Sequence, residues 1–363
     1  MATTERMTGI DISMGPDDLF RFLVATTMTA KKPVIIWGEP GVAKSATVWQ
    51  AAEQLGVQVY DFRAYLHQPV DLTGGIEIKD GRTHFRPPDF LPRDGSGIFL
   101  IEELGNAPKD MQAVCLGLLM DRKIGDYTLP PKWTCVAISN RQWDRSGAQG
   151  LFSTVNNRFA THIEIEASHP VWDKWAAKEG VMPQVRSYLQ MVPEALQEFE
   201  PAKETRSFPT QRSWTNLAAL LPFTPRDLWF KIAAGAVGAG RAAEFIAHSE
   251  VWDDLPKPQD VLAAAETHEL PTEASVVYAL VNALTAHLRE ASKAGRDLAA
   301  ISEAIATVAL RYSTGDTADG AFRKEQATLL MRDAVIIDSA VITGDAGAKW
   351  AAANSEMVDH IQL

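Results

Sequence analysis

The 363 residues carry a formal net charge of −11, and 46% of them are hydrophobic and 22% charged. This composition is typical of a soluble globular protein of two or three domains, and it excludes a largely disordered chain. The acidic charge argues against a broad nucleic-acid surface, no apolar run can span a bilayer, and two cysteines cannot build a disulfide framework. The N-terminal segment has no apolar region typical of a secretory signal, so we expect a cytoplasmic protein.

The first half of the chain alternates apolar strand-like runs with helical stretches. This alternation over residues 30–165 predicts an α/β domain with a parallel sheet. Hairpins are predicted over residues 76–85, with a turn at Asp80 and Gly81, and over residues 124–133. The predicted strands are residues 34–37, 57–62, 97–101, 134–139 and 162–165, and the predicted helices are residues 44–55 and 110–120.

After about residue 168 helical spacing replaces the strand pattern. Pro256 and Pro258 indicate a turn or linker. We therefore expect three parts: an α/β domain over residues 1–167, a helical domain over residues 168–255 and a helical extension over residues 256–363. The predicted helices are residues 171–178, 184–191, 213–221, 225–248, 273–294, 298–312 and 321–339.

A glycine-rich segment, GEPGVAKS, follows the first predicted strand and opens the first predicted helix. This context is that of a phosphate-binding loop, in which small residues let backbone N–H groups surround phosphates beside a helix N-terminus. Lys44 is placed to reach the β- and γ-phosphates of ATP, and the Ser45 hydroxyl to hold Mg²⁺. The alternative is a chance glycine-rich turn. The predicted nucleotide-binding residues are Gly38, Glu39, Pro40, Gly41, Val42, Ala43, Lys44, Ser45 and Ala46.

Ala43 departs from the phosphate-loop pattern, which has glycine before the lysine. The position begins a predicted helix, where alanine is acceptable if its φ is negative.

Two carboxylates end the third predicted strand. Glu102 stands where such strands usually carry Asp, and we expect it to hold Mg²⁺ through water. Its side chain is one methylene longer, which shifts the metal geometry. Glu103 is predicted to polarise the water that attacks the nucleotide. The alternative is a solvated acidic turn, which is less consistent with the phosphate loop upstream.

Two further polar residues lie beside predicted strands, one after the fourth strand and one before the fifth. Asn140 ends the fourth strand, where it can orient the attacking water, although asparagine is also common in turns. Arg158 lies just before the fifth strand, where it can act in trans on a neighbouring subunit's nucleotide, although it can also be a surface arginine. Arg141 and Arg145 flank Trp143 in a loop; a solvated loop is favoured there over a contact with a neighbour or substrate.

The segments GEPGVAKS, IFLIEELGNAP, ISN and NNRF, in this order and spacing, resemble the AAA+ ATPases. Within them the chain is most similar to the MoxR group, including RavA-like and cobaltochelatase-small-subunit-like members, in which alanine before the loop lysine is familiar. The hairpin at Asp80 is similar to the helix-2 insertion of this clade. The segment SFPTQRSWT is similar to the family's S-P-R-S-W stretch, which carries the second sensor arginine onto Arg212. The resemblance spans about residues 15–248.

The resemblance implies an AAA+ P-loop core with a parallel sheet, an all-α lid domain and a helical C-terminal extension. It further implies ATP and Mg²⁺ as cofactors and a homo-oligomeric ring, usually hexameric, with ATP at the subunit interfaces. Such rings remodel protein substrates as chaperone-like motors, commonly with a partner that bears a von Willebrand factor A domain. We expect no membrane partner, and the acidic charge weighs against nucleic acid as a partner.

Two other functions stay open beside the hydrolysing motor. The first is a slow or non-hydrolysing, nucleotide-dependent assembly switch, which Glu102 and Ala43 favour. The second is a nucleic-acid translocase, since related clades with the same hairpins act on DNA. The acidic charge weighs against it, because phosphate contacts need Lys and Arg.

Overall fold

The computed structural model describes residues 13–141, 144, 150–200, 206–314, 320–358 and 361. By their internal contacts these residues divide into two compact units. The α/β unit contains the described residues up to Ser168, with Phe199 and Glu200. The helical unit contains residues 169–198 and the described residues from Arg206 onward.

The strands that the structure describes all lie in the α/β unit. They are β1 (Ser13–Met14), β2 (Val34–Trp37), β3 (Gln58–Arg63), β4 (Gly75–Lys79), β5 (Arg82–Arg86), β6 (Gly97–Glu102), β7 (Lys123–Ile124), β8 (Tyr127–Thr128), β9 (Trp133–Ser139) and β10 (Thr161–Ile165). The helices of this unit are α1 (Pro16–Thr26), α2 (Lys44–Leu55), α3 (Pro69–Thr73), α4 (Lys109–Asp121) and α5 (Ser153–Asn156).

The helical unit has twelve α-helices in the part of it that the structure describes. They are α6 (His169–Glu179), α7 (Pro183–Met191), α8 (Gln211–Leu220), α9 (Trp229–Val237), α10 (Ala239–Asp253), α11 (Pro258–Ala263), α12 (Ala274–Lys293), α13 (Ala299–Thr314), α14 (Gly320–Ile337), α15 (Ala340–Thr343), α16 (Asp345–Ala353) and α17 (Ser355–Val358). Among the described helices, none is both long enough and apolar enough to cross a membrane.

Six strands form one parallel sheet in the order β1-β10-β2-β9-β6-β3. The predicted parallel sheet is confirmed, and each of the five predicted strands agrees with an observed one to within a residue. Because all strands run the same way, their carboxyl ends meet at one edge. The loops that carry polar residues in the sequence leave the sheet at this edge.

Helices cover both faces of the sheet. On β6, Ile98 and Leu100 pack in a cluster with residues of α1 and α2, whereas Phe99 and Ile101 pack in a cluster with residues of α4. Successive side chains of a strand point to opposite faces, so both faces of β6 are buried. This explains why the strand has no polar residue before Glu102.

Both predicted hairpins exist outside the main sheet. Strands β4 and β5 pair through a two-residue turn in which Asp80 and Gly81 have φ of 53° and 71°, as the predicted turn requires. The second hairpin is shorter than the predicted 124–133. Its strands β7 and β8 end before Pro130 and Pro131, which lack the N–H groups that a ladder needs.

Two expectations for the helical part are wrong. Residues 225–248 are not one helix, because the chain breaks at Gly238, whose φ of 84° and ψ of 154° are accessible mainly to glycine. Pro258, predicted in a turn, instead begins α11, where the missing N–H of proline is tolerated. The other predicted helices are observed with shifts of one or two residues at their ends.

The helical unit has two hydrophobic clusters. One contains buried residues between Trp172 and Phe245, and the other contains buried residues between Val261 and Ile361. The bounds of the lid over residues 168–255 and of the extension over residues 256–363 stay predictions.

Four charged residues, three of them buried, connect these parts of the helical unit. Arg186 and Arg332 each contact both Asp173 and Asp333, at 2.6–2.9 Å. Burial opposes ionisation of Asp173, but the two guanidinium groups outweigh it and hold its pKa below the ordinary value. The four charges cancel in pairs, so α14 is fastened to α6 and α7 without a buried net charge.

Candidate nucleotide site

The glycine-rich loop connects β2 to α2 at the carboxyl edge of the sheet. A Cβ atom on Gly38 would lie 2.8 Å from Ile165 Cγ2, so the first position of the loop has room only for glycine. Gly41 has a φ of 78°, which again favours glycine. The first turn of α2 presents amide groups that have no acceptor within the helix. This geometry is suited to receiving phosphate groups.

Ala43 adopts a left-handed conformation, with φ of 66° and ψ of 22°. The negative φ under which alanine is sterically acceptable is therefore not observed. The loop needs a left-handed residue to turn into α2, which explains why the common pattern has glycine there. For alanine the conformation costs about 1–2 kcal/mol. Of the other loop residues, Val42 is buried, Glu39, Pro40 and Ser45 are partly exposed, and Ala46 is exposed.

Lys44, Asn140 and Glu103 form a continuous hydrogen-bonded chain. The Lys44 ammonium donates to the carbonyl oxygens of Gly38 and Glu39 at 2.7 and 2.8 Å, and to Asn140 Oδ1 at 2.8 Å. Asn140 Nδ2 donates in turn to the two carboxylate oxygens of Glu103, at 3.3 and 3.2 Å. These residues follow the adjacent strands β2, β9 and β6, so the sheet order brings three predicted side chains together. Lys44 and Asn140 are both only 7% exposed.

Glu103 is held by the turn that follows β6. It has φ of 55° and ψ of 37°, a conformation that non-glycine residues adopt at a cost and that is often found at functional sites. Asn106 Nδ2 donates to Glu103 Oε2 at 2.7 Å. The N–H of Gly105 donates to Ser139 Oγ at 3.1 Å, which fastens the turn to β9. The carboxylate therefore accepts from two side-chain amides and is oriented before any substrate arrives.

Glu102 is the last residue of β6 and pairs in register with Arg63 of β3. The pKa of Arg63 is raised, chiefly by Asp61 and to a smaller extent by Glu102. In the described ranges no group of three or more His, Cys, Asp or Glu side chains could hold a metal ion. One hydroxyl and one carboxylate nevertheless suit Mg²⁺, which commonly combines few protein ligands with substrate phosphates. Ser45 and Glu102 stay predictions as its ligands.

Arg141 lies directly after Asn140 and is surrounded by three carboxylates. Its Nη2 donates to Glu39 Oε1 at 2.7 Å, its Nη1 to Glu164 Oε1 at 2.8 Å, and its Nε to Asp144 Oδ1 at 3.0 Å. Burial opposes the charged guanidinium, but hydrogen bonds to Asp144, Glu164 and Glu39 outweigh it and raise the pKa of Arg141. The arginine is thus part of the site rather than of a solvated loop. Arg145 and Trp143 lie outside the described residues.

The two other predicted arginines are exposed. Arg158 lies in the turn between α5 and β10, and its side chain forms no hydrogen bond or ion pair with any described residue. Arg212 lies in the first turn of α8 in the helical unit, behind a capping box formed by Thr210 and Ser213. Their roles as a trans-acting arginine and a second sensor arginine stay predictions.

Sequence reasoning missed four residues of this site: Asn106, Arg141 in its observed role, Asp144 and Glu164. Two of them had a local signal, since Asn106 follows Glu103 and Asp144 follows Arg141 by three residues in a tight turn. The other partners of Arg141, Glu39 and Glu164, lie in separate segments that no local pattern connects to it.

Comparison with known proteins identifies the domain type of the α/β unit. Residues 33–159 match the model of the AAA domain, dynein-related subfamily. Together with the parallel sheet, the phosphate loop and the helical unit, this match confirms the predicted AAA+ P-loop core followed by a largely helical part. No curated protein matches the sequence.

Solved structures that are similar to this chain include two AAA+ proteins. NtrX from Brucella abortus, in complex with ATP, is 15% identical; the match covers 81% of this chain and 68% of that one, with a TM-score of 0.40. RuvB from Thermotoga maritima, a Holliday junction branch migration motor, is 15% identical; the match covers 84% of this chain and 89% of that one, with a TM-score of 0.36.

Proposed function

We propose that this chain, whose residues 33–159 match an AAA domain, is a MoxR-type ATPase that remodels or matures a protein complex. The observation that carries the proposal is the hydrogen-bonded chain from Lys44 through Asn140 to Glu103. It joins the cation expected to contact the terminal phosphates to the carboxylate expected to activate water. A chance glycine-rich turn and a solvated acidic turn would have no reason to be connected in this way.

The residues of the site suit phosphoryl transfer to water. The loop amides and Lys44 bind and orient the phosphates, and Mg²⁺, which Ser45 and Glu102 would hold, would neutralise charge on the phosphate oxygens. Glu103 accepts a hydrogen bond from the attacking water and draws its proton. Asn140 and Asn106 donate to Glu103 and keep its carboxylate oriented. The amide of Asn140 also contacts Lys44, so nucleotide contacts at Lys44 alter the support of Glu103.

Assembly into a homo-oligomeric ring, hexameric in this proposal, is part of the same function. The exposed position of Arg158 lets it contact a neighbouring subunit's nucleotide, where it would stabilise charge that develops on the γ-phosphate. The resemblance to the MoxR group assigns to Arg212 the role of a second sensor arginine. The proposed partner is a protein with a von Willebrand factor A domain, and the substrate is a protein complex.

The experiment that tests this function measures phosphate release by the full chain with Mg²⁺ and ATP, with and without a candidate partner that bears a von Willebrand factor A domain. The proposal predicts steady turnover, a rise in turnover when the partner or its complex is added, and a ring in ATP by light scattering. Lys44→Ala is the matched negative control. Turnover no higher than that of Lys44→Ala, under both conditions, would contradict it.

A nucleotide-dependent assembly switch is the second candidate, because two features of the site favour slow turnover. Ala43 is strained in its left-handed conformation, and Glu102 replaces the shorter Asp. A switch would form rings with ATP but would show the same low turnover with and without a partner. A nucleic-acid translocase would bind DNA with a steep salt dependence, which a chain of charge −11 is not expected to do.

A further inference from the structure

Arg141 spans the end of the strand from which the phosphate loop leaves. Strand β2 lies between β10 and β9, and its last residue, Trp37, pairs in register with Glu164 of β10 and Ser139 of β9. Arg141 follows β9 by two residues and donates to Glu164 at 2.8 Å and to Glu39, the second loop residue, at 2.7 Å. One guanidinium therefore connects the loop to the strands on both sides of it.

A buried aspartate fixes the guanidinium in place. Asp144 accepts from Arg141 Nε at 3.0 Å and from the backbone N–H of Arg141 at 2.9 Å. The Asp144 side chain is fully buried and that of Arg141 is 14% exposed. Because the backbone N–H belongs to the residue after Asn140, the same contact also fixes where Asn140 leaves β9.

The charge of Glu39 explains why the loop needs this contact. The backbone of Glu39 lies in the loop that is proposed to receive phosphates, and its carbonyl oxygen contacts Lys44. A free carboxylate at this position would repel a polyanionic nucleotide. In the structure the Glu39 carboxylate is paired with Arg141, which offsets part of its charge and fixes its direction.

We propose that Arg141 is a positioning residue of the nucleotide site, which acts by holding the Glu39 carboxylate and the base of the phosphate loop rather than by touching the nucleotide. The inference rests on the proposed binding of ATP at this loop. In this proposal Arg141 connects the ends of β9, β2 and β10, and the Glu39 carboxylate is its contact on the phosphate loop.

The test is a double-mutant cycle read out by titration of a fluorescent ATP analogue into the full chain. We expect Arg141→Gln to weaken binding about tenfold, within the usual range of coupling between contacting residues. Glu39→Gln loses the ion pair but keeps an oxygen acceptor for Arg141, so we expect it to weaken binding less than Arg141→Gln does. In the double variant the Glu39 carboxylate, which Arg141→Gln leaves without its partner, is replaced by an uncharged amide. ATP binding is therefore expected to recover at least about threefold relative to Arg141→Gln. Glu53→Gln, on the exposed side of α2, is the control.

A second measurement separates positioning from general damage to the fold. Hydrolysis at saturating ATP, per bound nucleotide, falls less than affinity does in Arg141→Gln. Arg141→Gln leaves the buried Asp144 without its partner, which can prevent folding. In that case Arg141→Lys is compared with the double variant Arg141→Lys, Glu39→Gln, and the same recovery of binding is expected.

Two results would overturn the proposal while leaving the ATPase function intact. One is parent-like affinity in Arg141→Gln. The other is a double variant that binds no better than Arg141→Gln, which would mean that Arg141 acts directly on the nucleotide or only on the fold. A parent chain that binds no ATP would contradict the proposed function, and with it the positioning role of Arg141.

Discussion

Replacement of Ala43 by glycine tests the local geometry of the phosphate loop through the sign of one stability change. Ala43 has φ of 66° and ψ of 22°. In this region an alanine is strained by about 1–2 kcal/mol, whereas glycine is not. The greater flexibility of glycine in the unfolded chain opposes the gain by about 0.4–1 kcal/mol. Ala43→Gly is therefore expected to stabilise the α/β unit by about 0.5–1 kcal/mol.

Calorimetric unfolding of the full chain can detect this change. The transition that ATP shifts upward identifies the α/β unit, since a ligand stabilises the unit that binds it. For a unit of this size the expected rise in Tm is about 1–4 °C. Ala46→Gly, in the helical first turn of α2, is the matched control and is expected to lower stability by about 0.5–1 kcal/mol.

The two substitutions are chemically identical and three residues apart, so only backbone conformation distinguishes them. If Ala43→Gly lowers the Tm as Ala46→Gly does, Ala43 is helical and the left-handed geometry is wrong. Equal, near-zero effects of both substitutions would contradict the reasoning from strain.

Three further predictions concern binding, assembly and pH. Lys44→Ala should abolish or greatly weaken ATP binding, because it removes the charge that reaches the phosphates. Titration of a fluorescent ATP analogue measures this, and unchanged affinity would contradict the phosphate-loop assignment. Arg158→Ala should fold and bind ATP yet lose most turnover, and mixed rings with Glu103→Gln subunits should regain some; no recovery in rings that demonstrably mix would exclude a trans role. Burial lowers the pKa of His248 to about 4, below the ordinary value of ~6.5, so its contribution to stability is complete above about pH 6.5 and is lost as pH falls toward 4. Urea unfolding of the helical unit should weaken by about 2 kcal/mol from pH 7 to pH 5, and His248→Gln, which lacks the titrating group, should flatten this dependence.

Elements whose pattern is local could be predicted from the sequence. The apolar run of β6 predicts a strand buried on both faces, and the turn pair Asp80-Gly81 predicts its hairpin. The lysine-serine pair at the start of α2 predicts a helix with the observed bounds. In each case one periodicity or one turn type decides the structure.

Two helical features were missed although the sequence carries signals for them, whereas contacts across the chain have no local signal. Helix α1 begins with a proline and two aspartates, which are helix-start signals, and it is stabilised by packing against α2. Gly238 is one of three glycines in residues 235–240, and the sequence does not decide which of them interrupts the helix. The contacts of Arg141 with Glu39 and Glu164 depend on strand order, which only the folded sheet supplies.

The left-handed conformations of Ala43 and Glu103 are a third kind of miss. Ala43 directly precedes α2 and Glu103 directly follows β6, and at such positions helical or extended backbone is the ordinary expectation. The sheet edge imposes the turn, and the residue accommodates it at a cost. Such positions lie at the site itself, which is where local sequence preference and the observed backbone are expected to disagree.

The central claim is that Glu103 activates water for ATP bound at the Lys44 loop, and one comparison tests it most directly. The Glu103→Gln variant preserves the size of the side chain and its contacts with Asn140 and Asn106 in part, but loses the carboxylate. The measurement is ATP affinity and single-turnover phosphate release by the same preparation. The account predicts parent-like affinity with phosphate release abolished and an ATP-bound ring trapped. Phosphate release at the parent rate would contradict it, and Glu102 would then be the carboxylate to examine.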